Sequence, residues 1–203
     1  MYDFPAVSNS LKVLLIFALA ALCVRLAVAF LKNKQNRLQT SGVASISERK
    51  NPYLSLREQA LHLKRDNIGL PVPSNPKEPW AAIMDWGVTN GTATVVAISD
   101  GTASVYISSG GGFIGGGQSH EPIRKAAQKM VSVAAEIQPQ MRAAQAYPLP
   151  QRGQVTFYVL TDSGVFTTNA PQEELSSHRH LLSKLGDAAQ DIITQYRLIE
   201  KAQ

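Results

Sequence analysis

The chain has 203 residues, enough for one domain of ordinary size with segments to spare. Its 44% apolar and 17% charged content argues against a disordered chain, and its single cysteine, Cys23, excludes both a disulfide framework and a thiolate metal cluster within one chain. The net charge of +5 resides between Lys32 and Asp66, where eight basic residues (Lys32, Lys34, Arg37, Arg49, Lys50, Arg57, Lys64 and Arg65) face only Glu48, Glu58 and Asp66. A nucleic-acid binder is expected to carry its basic stripe on the folded domain with aromatics interleaved. Here the excess sits beside an apolar run, which points to anionic lipid headgroups and away from nucleic acid.

After a tail at residues 1–10, residues 11–31 read LKVLLIFALAALCVRLAVAFL. At ~1.5 Å per residue this run crosses a hydrocarbon core of ~30 Å, so it is predicted to be a transmembrane helix. Arg25 lies roughly 9 Å inside its far end, within snorkelling reach of the interface. Lys32, Lys34 and Arg37 follow, so Arg25 and these three are the predicted membrane-interface residues. The positive-inside tendency then places the C-terminal domain in the cytoplasm of a single-pass protein. The rival expectation is an exported or periplasmic protein, in which Val13–Val24 is the h-region of a signal peptide cleaved after Ala27-Val28-Ala29. Against it stand Arg25 inside the apolar run and an n-region with little charge before Lys12.

Residues 32–79 read as a basic linker with a short helix and a stiff connector. The helix is predicted from Ser55 to Asp66, with Ser55 and Glu58 as a capping box and Leu56, Ala60 and Leu63 on one face. Four prolines between Pro71 and Pro79 then make the chain extended. A globular domain is predicted over 80–203. Asn90-Gly91 and Asp100-Gly101 separate three β-rich runs and predict a three-stranded meander. A helix follows with Ile123, Ala126, Ala127, Met130, Val131, Ala134 and Ile137 as its apolar stripe, ended by Pro139. The run QVTFYVLT, the turn at Asp162-Ser163-Gly164 and VFTT form another hairpin. A helical turn with Glu173 and Glu174 comes next, and then a last helix from Leu181 to Ile199 that buries Leu182, Leu185, Ala189, Ile192, Ile193 and Tyr196. The expected fold class is α+β, with an antiparallel meander sheet of about five strands in the order α-β-β-β-α-β-β-α and helices on one face.

Residues 108–120, SSGGGFIGGGQSH, hold six of the chain's 14 glycines. Gly110 to Gly115 formally satisfy G-x-G-x-x-G between a strand and a helix. Three features argue against a dinucleotide site. The preceding strand belongs to an antiparallel meander rather than a parallel β-α-β unit. The helix starts several residues past the third motif glycine, and the position where an acidic residue is needed falls inside that helix. The leading expectation is steric: the glycines permit turns, and Phe113 and Ile114 tuck into the core as an anchor. The alternatives are an anion or nucleotide site at the following helix N-terminus, using Ser119 and His120, and a protein-contact loop. The contact candidates are therefore Gly110, Gly111, Gly112, Phe113, Ile114, Gly115, Gly116, Gly117, Ser119 and His120.

His178-Arg179-His180 is an H-x-H pair near Glu173 and Glu174, but the two rings diverge at this spacing and no third ligand is evident, so a solvated loop is expected. Asp100 and Asp162 sit at hairpin turns, where Asp is favoured for backbone geometry. Asp85, flanked by Met84 and Trp86 in a strand, is the one acidic residue out of place. No catalytic set, metal site or cofactor is expected. The sequence points to a membrane-anchored, non-enzymatic interaction or assembly module whose partners are the bilayer and another membrane or cytoplasmic protein, with a small-ligand sensor at the glycine loop as the alternative.

Overall fold

The computed structural model describes residues 52–201, which lie within one compact unit, Lys50–Gln203. The predicted transmembrane segment, with Arg25, Lys32, Lys34 and Arg37, lies outside the described residues. No helix among the described residues is long and apolar enough to cross a membrane.

Helix α1 spans Pro52–Leu61. It starts three residues earlier than the capping box suggested, because Pro52 suits a first helical turn. Ser55 then sits inside the helix, where its hydroxyl accepts from Gln59 Nε2 at 3.2 Å instead of capping. Leu61 is its last residue, and a 3-10 turn over Arg65–Ile68 follows. The connector leads into β1 (Ala81–Val88), β2 (Gly91–Ile98), β3 (Ala103–Ile107) and β4 (Gly112–Ile114). Helix α2 spans Glu121–Ile137, and β5 (Arg142–Ala143), β6 (Gln154–Thr161) and β7 (Gly164–Pro171) complete the sheet. The chain closes with α3 (Gln172–Ser176) and α4 (Ser183–Lys201).

The strands form one antiparallel sheet of seven, in the order β4-β3-β2-β1-β6-β7-β5. Five were expected. The two additions are the edge strands, β4 with three residues and β5 with two, both too short to show a period-2 pattern. The expected hairpins are present: Val88 pairs with Gly91, and Thr161 with Gly164. The central contact joins the first meander to the later hairpin, with Met84 opposite Val95 on one side and Phe157 on the other.

The helices do not all lie on one face. α2 and α4 cover the side that carries Met84, Val95, Val105, Phe157 and Val159. α2 buries the seven residues of its apolar stripe, which shows how far a 3.6-residue period determines contact. The opposite side carries Ile83, Val96, Ile98, Tyr158 and Leu160, and is closed by Ala60 and Leu61 of α1 with Trp80, Leu70 and Tyr147. The short helix therefore belongs to the core of the compact unit, and the reason lies in the strands. AAIM, VVAI and YVL are continuous apolar runs, the mark of a sheet covered on both faces.

A fragment of residues 50–203 is expected to unfold in one cooperative transition. A fragment starting at residue 70 lacks Tyr53, Arg57 and Leu61, and its melting temperature should fall by about 10 °C or more. Equal melting by circular dichroism would remove α1 from the core.

Candidate functional site

Two arrangements stand out among the polar and strained residues. The first centres on Asp85, whose side chain is fully buried at 0% exposure on the α1 face of β1. Arg57, one turn along α1 from Tyr53, meets it through Nε at 2.8 Å and Nη2 at 2.6 Å, both to Oδ2. Thr94 on β2 donates its hydroxyl to Oδ1 at 2.5 Å, and Tyr53 Oη lies 2.9 Å from the Thr94 hydroxyl. Arg57 Nη2 also donates to the Pro148 carbonyl at 3.2 Å, which the Tyr158 hydroxyl reaches at 3.1 Å.

Burial pushes the Asp85 carboxyl above its ordinary range, while the hydrogen bond and charge of Arg57 hold it back. Burial opposes the Arg57 charge, but the hydrogen bond and charge of Asp85 outweigh it and hold the guanidinium above its usual value. Burial, then the Asp85 charge, push the Tyr158 phenol up to about 12. Every polar atom of the Asp85 carboxylate is thus occupied by this chain, and the network ties α1 to the sheet. Arg57 was absent from the candidate residues. The available signal was Asp85 itself, since a carboxylate in a buried strand requires a cation, and Arg57 shares the buried side of α1 with Tyr53, Ala60 and Leu61.

The second arrangement is the glycine stretch. Gly110 and Gly111 form the exposed tip of the β3–β4 hairpin. Gly112 opens β4 at φ 146°, and a Cβ there would overlap the Val105 carbonyl oxygen. Gly117 has no room for a Cβ either, because the Gly101 carbonyl oxygen occupies that space. Tyr196 of α4 holds the stretch. Its hydroxyl donates to Ala103 O at 2.7 Å and accepts from Gly116 N at 2.9 Å, and its ring stacks on Phe113 at 4.6 Å and 13°. Burial raises the Tyr196 phenol above its ordinary value, so it remains a donor at neutral pH.

The backbone N–H groups of the stretch between β4 and α2 are mostly spent within the chain. Gly115 N donates to Ala103 O, Gln118 N to Gly115 O, and Ser119 N and His120 N to Gly116 O. Arg124 spends its guanidinium on the carbonyls of Gly117 and Gln118, at 3.1 Å each. Gly112, Phe113, Ile114, Gly116 and His120 come together along a groove of about 420 Å³ that is closed on its far side by Tyr196, Ile199 and Glu200 of α4. Gly110, Gly111, Gly115, Gly117 and Ser119 do not line it. One expectation is corrected here. Phe113 packs against the core, but Ile114 does not, and it is 72% exposed. Neighbours on a strand point to opposite faces: Phe113 pairs with Val105 on the α4 side, and Ile114 pairs with Ser104 on the other, beyond the cover of α1.

The remaining candidates are dispersed. His178, at φ 54°, lies 3.3 Å from Asp187, and His180 lies 3.9 Å from Glu174. Among the described residues no group of three or more His, Cys, Asp or Glu converges on one point. Asp100 bonds Thr102 within its own turn, whereas Asp162 reaches out of its turn and pairs with Arg65 Nε at 2.9 Å. A cavity of about 570 Å³ between the connector and the end of α2 is lined by Lys77, Glu78, Gln138, Met141 and Phe166 among others.

No family model, curated protein or solved structure matches the chain. The class is the one its fold defines: an α+β domain on a seven-stranded antiparallel sheet covered on both faces.

Two results are expected. Asp85→Ala strands a buried guanidinium and should cost about 3–5 kcal/mol, whereas the Arg57→Met, Asp85→Leu pair should restore most of that. Urea denaturation of the three proteins checks it, and a double variant no better than the single one would contradict the structural role. Separately, Gly117→Ala forces backbone apart and should cost about 1–3 kcal/mol or prevent folding. Gly110→Ala at the open tip meets only the left-handed penalty of about 1–2 kcal/mol. Thermal melts in which Gly110→Ala is the worse of the two would reverse the assignment.

Proposed function

We propose that this chain is a membrane-anchored, non-enzymatic module whose folded domain engages another protein, as an accessory or assembly component of a membrane complex. The observation that carries this reading is the succession in the sequence of a 21-residue apolar run (11–31) and a segment bearing the whole net charge of +5. The folded domain supports the interaction half. Its conspicuous ionic group, Asp85 with Arg57, is consumed in holding α1, and its glycine stretch spends most of its N–H groups internally. What the glycine stretch leaves open is a groove with an exposed apolar side chain, Ile114, beside it. That favours contact with a protein over capture of a nucleotide.

A second reading has its own observation. Ala27-Val28-Ala29 satisfies a cleavage rule, and processing there yields an exported protein starting at Phe30. Expression of the full chain followed by membrane flotation, carbonate extraction and N-terminal sequencing separates the two. The anchored reading expects a carbonate-resistant membrane protein that retains residues 11–31. A mature N-terminus at Phe30, or full recovery in the soluble fraction, rejects it.

A further inference from the structure

The groove beside β4 adjoins a sheet edge, and the register of that edge can be read residue by residue. Ile107 N–H donates to Gly111 O, Gly115 N–H donates to Ala103 O, and Phe113 stands opposite Val105. Bonding residues alternate along an antiparallel pair, so Gly111, Phe113 and Gly115 turn their N–H and C=O groups toward β3. Gly112 and Ile114 therefore turn theirs outward. β4 is the terminal strand of the sheet, and among the described residues nothing pairs with its outer side. Two residues thus offer two donors and two acceptors in strand register, next to a groove of about 420 Å³ whose walls include Phe113, His120, Tyr196 and Ile199.

We infer that the outer edge of β4, together with the groove between β4 and α4, receives an extended segment of a partner protein as an eighth strand. This rests on the reading of the domain as an interaction module and names its surface and partner chemistry. Backbone pairing with Gly112 and Ile114 supplies the attachment. One side chain of the added strand enters the groove against Phe113, Tyr196 and Ile199, and the next lies beside Ile114 on the opposite face. The partner segment therefore carries two adjacent apolar or aromatic residues within an extended, proline-free stretch.

A second copy of this chain fits less well. The residue that a copy's β4 would direct to the α4 side is Phe113, already stacked on its own Tyr196 at 4.6 Å, which leaves the groove unfilled. Neither Gly112 nor Ile114 places a charge or a proline on the outer edge, two of the devices by which natural edges are obstructed.

The test uses full-length protein in detergent and a phage-displayed library of random short peptides. Selected peptides should share an adjacent apolar pair, and their binding should slow hydrogen exchange at Gly112 and Ile114. Ile114→Pro deletes an outward N–H that β4 does not spend on β3, so the sheet should survive. Peptide Kd, read by fluorescence anisotropy, should rise about tenfold or more in this variant, with a smaller change for Ile114→Ala, which keeps the N–H. Undiminished binding to Ile114→Pro, no enriched peptides, or unchanged exchange at both amides each overturns the inference. If Ile114→Pro fails to fold, the exchange measurement on the parent decides alone. A dimer of the parent that Ile114→Pro converts to monomer assigns the edge to a second copy and also overturns it. Membrane partitioning is read separately: a soluble chain that still binds peptide removes the anchor and leaves this edge, and an anchored chain that binds none does the reverse.

Discussion

The arrangement of this domain turns on one buried ion pair. Asp85 lies at the middle of β1, fully enclosed, in a sheet whose central strands are covered from both sides. A carboxylate in such a place requires a cation and hydrogen-bond donors, and Arg57 and Thr94 supply them. Arg57 can do so only if α1 lies across the sheet, so the electrostatic requirement and the covering of the second face are met by one helix. Tyr53, Ala60 and Leu61 of the same helix fill the apolar space around the pair. A buried pair of this kind adds little net stability over an apolar replacement, but it penalises any register of α1 that leaves the charge alone.

Tyr196 plays a comparable part at the β4 edge of the sheet. Its hydroxyl bridges the backbone of β3 and the glycine stretch, and its ring supports Phe113. The stretch is consequently held along its length rather than free. Close backbone approach at Gly112 and Gly117 explains why side chains are missing there, without appeal to a bound phosphate. Most of the N–H groups beyond β4 are used within the chain, and the unspent groups of β4 belong to its outer edge. The steric reading and the contact reading of these glycines are therefore compatible, because the inner backbone builds the turn while the outer backbone of two residues remains available.

The groove owes its position to both constraints. β4 exists as a strand because Tyr196 and Ala103 hold its C-terminal end, and α4 lies beside it because the Leu185, Ala189, Ile192 and Tyr196 side of that helix packs on the sheet. Ile114 is exposed because it faces the side of the sheet covered by α1, at a distance from the centre where α1 no longer reaches. The outer rim of β4 carries neither charge nor proline, and its shortness is what limits pairing there. The edge is open beside a groove whose lining is mixed, with Phe113 and Ile199 alongside His120 and Glu200.

Much of this was legible in the sequence for local reasons. The stripe of α2 depends only on a 3.6-residue period, and the hairpins at Asn90-Gly91, Asp100-Gly101 and Asp162-Ser163-Gly164 depend only on which residues tolerate tight turns. The α+β class and the antiparallel sheet followed from those elements. The sequence also marked Asp85 as out of place and the glycine stretch as sterically special. It did not show that α1 covers the second face, that Arg57 is the partner of Asp85, or that β4 and β5 are strands. Nor did it show that Phe113 and Ile114 part company. Each of these depends on residues far apart in the chain: Arg57 and Asp85 are 28 positions apart, and Tyr196 and Ala103 are 93. A side chain's period and propensity are properties of its neighbours in sequence, whereas the partner of a buried charge, or the side on which an edge residue meets solvent, is decided only when distant elements have packed.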